Sequence, residues 1–266
     1  MKKYTLILFV CLIGLEAYSQ VGGISASKLG TLCTTTVPEG TIEFEPYFGY
    51  SISSNIFDSN GKVQELYSSP DSTMNFASSG FRFSYGLMNN LEIGVTVPVS
   101  VSEVSFGAKY KLPLEGKCAV GILAGYNTIL GNQVYDRRNA IYEQTPAFVG
   151  GLIITYDFTN KLSLDFDAQY QKHTQSTIGG HTDGIFLNSD IGYYFIEKAN
   201  FIIGLNYHYK IFDNNKDNSY LLTLNTGITI EKAKNFILVI NLPFDLMGKN
   251  EYRTKGFGLA LTIMLD

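Results

Sequence analysis

Tryptophan is absent from this 266-residue chain, and histidine and cysteine occur three times each. Tryptophan is the residue that most often marks a membrane interface, so any such duty falls to tyrosine and phenylalanine. The cysteines form no CxxC pair and no mixed Cys/His cluster, so no zinc site is indicated, and neither a metal nor a cofactor is expected. Charged residues amount to 17%, against the roughly 25% usual in soluble proteins. No Gly-x-Ser-x-Gly motif is present, and none of the histidines has a serine-rich neighbourhood, so no catalytic residue is assigned. The formal charge of −4 gives no reason to expect nucleic acid as a partner. The apolar run Tyr4–Leu15 falls short of the about 20 residues that a spanning helix needs, and no other segment approaches that length. A helical membrane protein is therefore not expected.

What is abundant is tyrosine (18), phenylalanine (18) and glycine (26), set in stretches that alternate apolar with polar or small. In residues 162–171, Leu162, Leu164, Phe166, Ala168 and Tyr170 fall on one parity. Ser163, Asp165, Asp167, Gln169 and Gln171 fall on the other. A period of two gives a strand with one greasy and one wet face. Strands are expected at 41–50, 76–87, 91–100, 103–112, 118–129, 146–158, 162–172, 185–196, 201–212, 219–231, 236–245 and 253–265. Their links alternate between compact and long. Met88-Asn89-Asn90, 113–117, Thr159-Asn160-Lys161, 197–200 and 232–235 are tight. The links 51–75, 130–145, 173–184 and 213–218 are longer, 246–252 is intermediate, and the one near Val101-Ser102 is tight. Twelve strands joined in this way predict an all-β fold, a transmembrane antiparallel up-and-down barrel over 41–266. The tight turns would face the periplasm and the long loops the outside.

Ahead of the barrel, Lys2, Lys3, the apolar run and Ala17-Tyr18-Ser19 read as a signal peptide, residues 1–19. Its removal takes two lysines and one glutamate from 20 basic and 24 acidic side chains, leaving 18 and 23. Residues 20–40 show no sustained period and read as a periplasmic lead-in or a short plug. Cys33 and Cys118 read as two separate small hydrophobes.

A soluble barrel would carry the same alternation inside out. The wet face, however, holds small or neutral groups such as Ala119, Gly121, Gly125, Gly151, Gly204, Asn225 and Gly227, which fill a lumen better than they solvate an exterior. The greasy face holds aliphatics, with Tyr85, Tyr156, Tyr193 and Phe201 near one end and Tyr50, Tyr126, Tyr170 and Tyr220 near the other, as two aromatic girdles would. Parity then sends Glu43, Glu45, Arg82, Glu92, Lys109, Lys111, Asp165, Asp167, Asp190, His208 and Lys210 into the lumen as candidates for lining and selectivity. Adding Glu103, Asp157 and Asp245 makes nine carboxylates against four bases. An open lumen would thus favour cations or neutral solutes. Asp165 and Asp167 are the expected carriers, since Asp157, Asn188 and Asp190 lie beside them and no base does, whereas Glu43 and Glu45 can be neutralised by Arg82.

Three segments resemble a known outer-membrane family: Val37-Pro38-Glu39-Gly40-Thr41-Ile42-Glu43-Phe44-Glu45-Pro46, the hairpin from Phe83 to Val95, and Phe106-Gly107-Ala108-Lys109-Tyr110-Lys111-Leu112. Together they are similar to the barrels of the MetA-pathway of phenol degradation family. The resemblance implies an outer-membrane channel of a Gram-negative bacterium for small, often aromatic or apolar solutes, with membrane lipid and the assembly machinery as partners. Two other classes predict different behaviour. An adhesive scaffold would bind a surface partner through 51–75 and conduct nothing, and a phospholipase-type barrel would depend on His208 or His181.

Overall fold

The computed structural model describes residues 21–25, 29–69, 72–99, 103–129, 146–174, 180–233 and 235–265. The signal segment 1–19, the link 130–145 and Val101-Ser102 lie outside them. The strands are β1 (Ile42–Phe57), β2 (Val63–Glu65), β3 (Met74–Met88), β4 (Leu91–Pro98), β5 (Glu103–Lys111), β6 (Cys118–Ile129) and β7 (Ala147–Thr159). They continue as β8 (Leu162–His173), β9 (His181–Ile196), β10 (Ala199–Phe212), β11 (Ser219–Ala233), β12 (Phe236–Lys249) and β13 (Glu251–Leu265). Each barrel strand pairs antiparallel with its sequence neighbour, and β13 pairs with β1 to close the cylinder. β2 lies outside this ring and pairs only with the end of β1. The twelve-stranded closed barrel is the one the alternation predicts. Closure matters because an open edge would present unpaired N–H and C=O groups to hydrocarbon.

Strand lengths depart from expectation at the loop end. The stretch 51–75, read as a long loop, is partly wall: β1 continues to Phe57 and β3 begins at Met74, with β2 paired to the end of β1 between them. The link 246–252 shrinks to a turn at Asn250, with φ 53°, a left-handed conformation that asparagine tolerates better than most residues. The link 213–218 contains a short 3-10 helix, Asn215–Asp217, capped by the Asn214 side chain.

The greasy parity faces out. Phe83, Phe106, Ile122, Leu152, Phe166, Ile191 and Leu205 are all exposed, and Tyr85, Tyr156, Tyr193 and Phe201 are exposed near the turn end. No chain segment covers this belt among the described residues, and an apolar exterior of this extent is what lipid contact requires. The buried apolar cluster is small and lies inside the cylinder, where Leu123, Val149 and Ile153 of the wall meet Val21, Ile24 and Leu32.

Candidate functional site

Three strand registers build the lumen's charged clusters. Glu45 lies opposite Arg82 across β1 and β3, Glu92 opposite Lys109 across β4 and β5, and Asp165 opposite Asp190 across β8 and β9. Period-two alternation turns all six inward. Arg82 Nη2 contacts Glu43 Oε1 at 2.8 Å and Glu45 Oε2 at 2.9 Å, and Thr262 Oγ1 donates to Glu45 Oε2 at 2.5 Å. The expected neutralisation of this trio is therefore in place. Lys109 and Glu92 form an ion pair at 3.3 Å with both side chains fully buried.

That burial comes from residues 21–25 and 29–37, which lie against the inner wall of the barrel as a strap. The strap is bound mainly through its backbone. Glu92 accepts from Ser25 N at 2.6 Å and, at its other oxygen, from Val37 N at 2.7 Å. Lys109 Nζ donates to the carbonyls of Ser25, Cys33 and Thr35 at 3.0, 3.1 and 2.6 Å. One buried ion pair thus holds Ser25 together with Cys33, Thr35 and Val37. Each partner meets groups of complementary charge or dipole, the condition under which a confined pair is tolerated. Farther along, Val21 N donates to Gln169 at 3.0 Å, Gly23 N to Thr96 Oγ1 at 2.7 Å, and Thr34 N to Thr155 Oγ1 at 3.0 Å.

Asp165 and Asp167 do not line open water, as the selectivity expectation assumed. Both lie beneath the strap and are almost fully buried. Asp167 accepts from Leu32 N at 2.9 Å, from Asn188 Nδ2 at 2.9 Å and from Gln169 Nε2 at 2.7 Å. Asp165 accepts from Thr155 Oγ1 at 2.6 Å, and Asp190 from Thr31 N at 3.4 Å. The physical reason is that an extended segment brings backbone N–H donors that a buried carboxylate can use in place of water.

A row of glycines makes the necessary room. Gly94, Gly107 and Gly125 sit side by side on β4, β5 and β6. A Cβ on Gly107 would lie 2.2 Å from Gly22 O, and one on Gly94 would lie 1.7 Å from Gly23 O. Inward-facing glycines in register were the signal in the sequence for a chain lying on the wall.

The remaining candidates are dispersed. Lys111 is half-buried at the turn end of β5. Lys210 pairs with Glu251 at 3.0 Å, a partner that parity alone did not single out. His208 stacks on Phe186 at 4.3 Å. His173 and His181, expected within a loop, end β8 and begin β9 with rings edge-on at 4.5 Å. Cys33 and Cys118 are both free thiols, the first buried in the strap and the second exposed on the outer face.

A family model described as MetA-pathway of phenol degradation matches residues 86–263, more than half of the chain. The solved structure of the COG4313 outer membrane channel from Pseudomonas putida F1 matches with TM-score 0.70 at 13% identity, over 87% of this chain and 98% of that one. The NanC porin matches with TM-score 0.57 at 9% identity, over 84% and 100%. A KdgM porin in complex with disordered oligogalacturonate matches with TM-score 0.52 at 14% identity, over 85% and 99%. No curated protein sequence matches the chain.

Proposed function

From the premise that the chain belongs to the MetA-pathway of phenol degradation family, we propose that it is a non-catalytic outer-membrane channel for small solutes in a Gram-negative bacterium. Its strap is the gate. The observation that supports this most directly is how the strap is held. Its backbone N–H and C=O groups meet inward side chains of β4, β5, β7 and β8 through separate hydrogen bonds. Such bonds can be exchanged for water singly when the segment moves, because one has a net value of about 0.5–1.5 kcal/mol between neutral groups and about 1.5–3 kcal/mol where one partner is charged. The barrel fold is shared with proteins named as channels and porins, which favours passage over catalysis. Membrane lipid and the outer-membrane assembly machinery are the partners this reading requires.

A closed scaffold is the competing reading, and the filled lumen is the observation that favours it. Planar-bilayer recording separates the two. Gly107→Val puts side-chain atoms where Gly22 O and Val21 now lie and is expected to displace the strap. The variant should conduct at least several-fold more than the unmodified barrel, with its heat-modifiable gel shift retained. Equal, negligible conductance in both proteins would overturn the channel reading and favour the scaffold.

A further inference from the structure

Arg82, Lys109 and Lys210 in the lumen are held by carboxylates, and Lys172 at the loop end of β8 is held by Asp183 at 3.0 Å. Three cations at the loop end of the β12–β13 hairpin are not. Among the described residues, Lys249, Arg253 and Lys255 have no carboxylate within ion-pair distance. The two acids of the same hairpin are engaged elsewhere, Glu251 with Lys210 and Ser219, and Asp245 with Thr223 and Thr254.

The setting of these cations is amphipathic. Lys255 is exposed and lies opposite Phe244 of β12 and Ile52 of β1, and Arg253 stands about 7 Å nearer the loop end on the same strand. The Arg253 guanidinium carbon is 5.3 Å from the centroid of the exposed Phe244 ring. Its Nε donates to the Asp245 carbonyl at 3.4 Å, which leaves the terminal amino groups to an acceptor from outside. Lys249 lies opposite Tyr220 at the end of β12. On the other side of Lys255 the wall turns apolar: the Phe257 ring lies 5.8 Å from Phe48 and 6.0 Å from Tyr50, and Leu259 and Leu242 are exposed beyond it. Unpaired cations above an aromatic girdle stand at the depth of lipid headgroups.

We propose that this corner of the outer wall binds one lipid of the outer leaflet, a phosphate-bearing glycolipid of the lipid A type. Its phosphates sit among Lys249, Arg253 and Lys255, and its acyl chains run along Phe244, Phe257 and Leu259. Phosphate supplies the missing negative charge, with oxygens that match a guanidinium fork and two ammonium groups. Two phosphates answer three cations better than the single diester of a phospholipid. A soluble acidic partner would meet the charges but not the lipid-facing rings beneath them. The inference rests on the outer-membrane reading, with the long loops outside, and it names the lipid.

Native mass spectrometry of the full barrel, released from detergent after titration with each probe, tests the site. The probes are bisphosphorylated lipid A, the same lipid after phosphatase treatment, phosphatidylglycerol and inorganic phosphate. One molecule of bisphosphorylated lipid A should be retained at a concentration at least about tenfold lower than either other lipid needs, the effect of several charge-assisted contacts. Arg253→Gln with Lys255→Gln should abolish that advantage, whereas Lys117→Gln with Lys161→Gln, at the turn end, should leave it intact. Should the first variant fail to fold, the phosphatase-treated lipid on the unmodified barrel decides alone. Equal retention of the dephosphorylated lipid or of phosphatidylglycerol, or undiminished retention by the Arg253/Lys255 variant, would overturn the site. Inorganic phosphate held as tightly as the lipid would mark a free-anion site and overturn the lipid assignment. A chain with no heat-modifiable form in any lipid would overturn the membrane-barrel reading, whereas lost selectivity with the gel shift retained overturns the lipid site alone.

Discussion

Lys109 shows how much one side chain can organise. It faces the lumen from β5, pairs with Glu92 and donates to three strap carbonyls. Replacing it with methionine leaves a buried carboxylate without its cation, a change that typically destabilises by about 3–5 kcal/mol. Lys109→Met should therefore lower the midpoint of the heat-induced gel shift and expose the strap to protease. Combining it with Glu92→Leu should recover part of the loss, because the orphaned charge then goes as well. A different residue gives a pH test outside the membrane. Asp58 accepts from Lys62 N and Asn60 N at 2.9 and 2.8 Å and from the Gln64 side chain. These donors, the backbone N–H of Lys62 foremost, hold its carboxyl below the ordinary value of 3.8. A depressed carboxylate contributes order that is present above that value and is lost as the pH falls through its own lower one. Protection factors at Lys62 and Asn60, with intrinsic exchange divided out, should thus hold down to about pH 4 and fall only in stronger acid, whereas Asp58→Asn should remove that fall. The ion pairs Glu43–Arg82 and Glu45–Arg82 were legible in the sequence, because parity and adjacency place charged neighbours together. The hydrogen bonds of Asp167 and Asp190 to the strap were not, since a backbone N–H has no residue identity by which to be read.

Among the elements, the strands were readable and the strap was not, for the same physical reason. A half-buried strand must alternate, whereas a buried segment needs no periodicity at all. Residues 21–25 and 29–34, buried or half-buried, accordingly mix Val, Ile and Leu with Gly, Ser, Thr and Cys in no regular order. Their place was written instead into the strands they touch, as the aligned Gly94, Gly107 and Gly125. The extension of β1 through Phe57 was missed because the run of serines and asparagine from Ser51 to Asn55 resembles loop composition. Pairing with β2 and β13 overrides that local preference, as tertiary context commonly does for strands.

For the molecule as a whole, the acid excess of the lumen acquires a condition. Asp165, Asp167 and Asp190 lie under the strap, so in the closed barrel they bind chain and not solute. Once the strap leaves they would line the passage, within a screening length of about 8 Å at physiological salt. Cation preference should consequently accompany opening. In the Gly107→Val background, Asp165→Asn with Asp167→Asn should lower the cation-to-anion permeability ratio, measured from reversal potentials under a salt gradient. In the unmodified barrel the same pair should change little. A permeability ratio indifferent to both aspartates in the open variant would remove them from the solute path.

The strap's attachments also bear on how the cylinder is made. Ile42 must find Leu265 to seal the seam between β1 and β13, the most remote strand pairing among the described residues, and closure over such a separation is slow. The strap is covalently joined to β1 yet binds Glu92 on β4, Lys109 on β5 and Asp167 on β8. Were these contacts to form early in folding, the strap would bridge the growing sheet from within and draw distant strands into curvature before the last seam closes, as a mandrel around which the barrel is wound. A chain lacking residues 21–37 should then acquire its heat-modifiable form more slowly on refolding into lipid, even where the finished cylinder is unchanged.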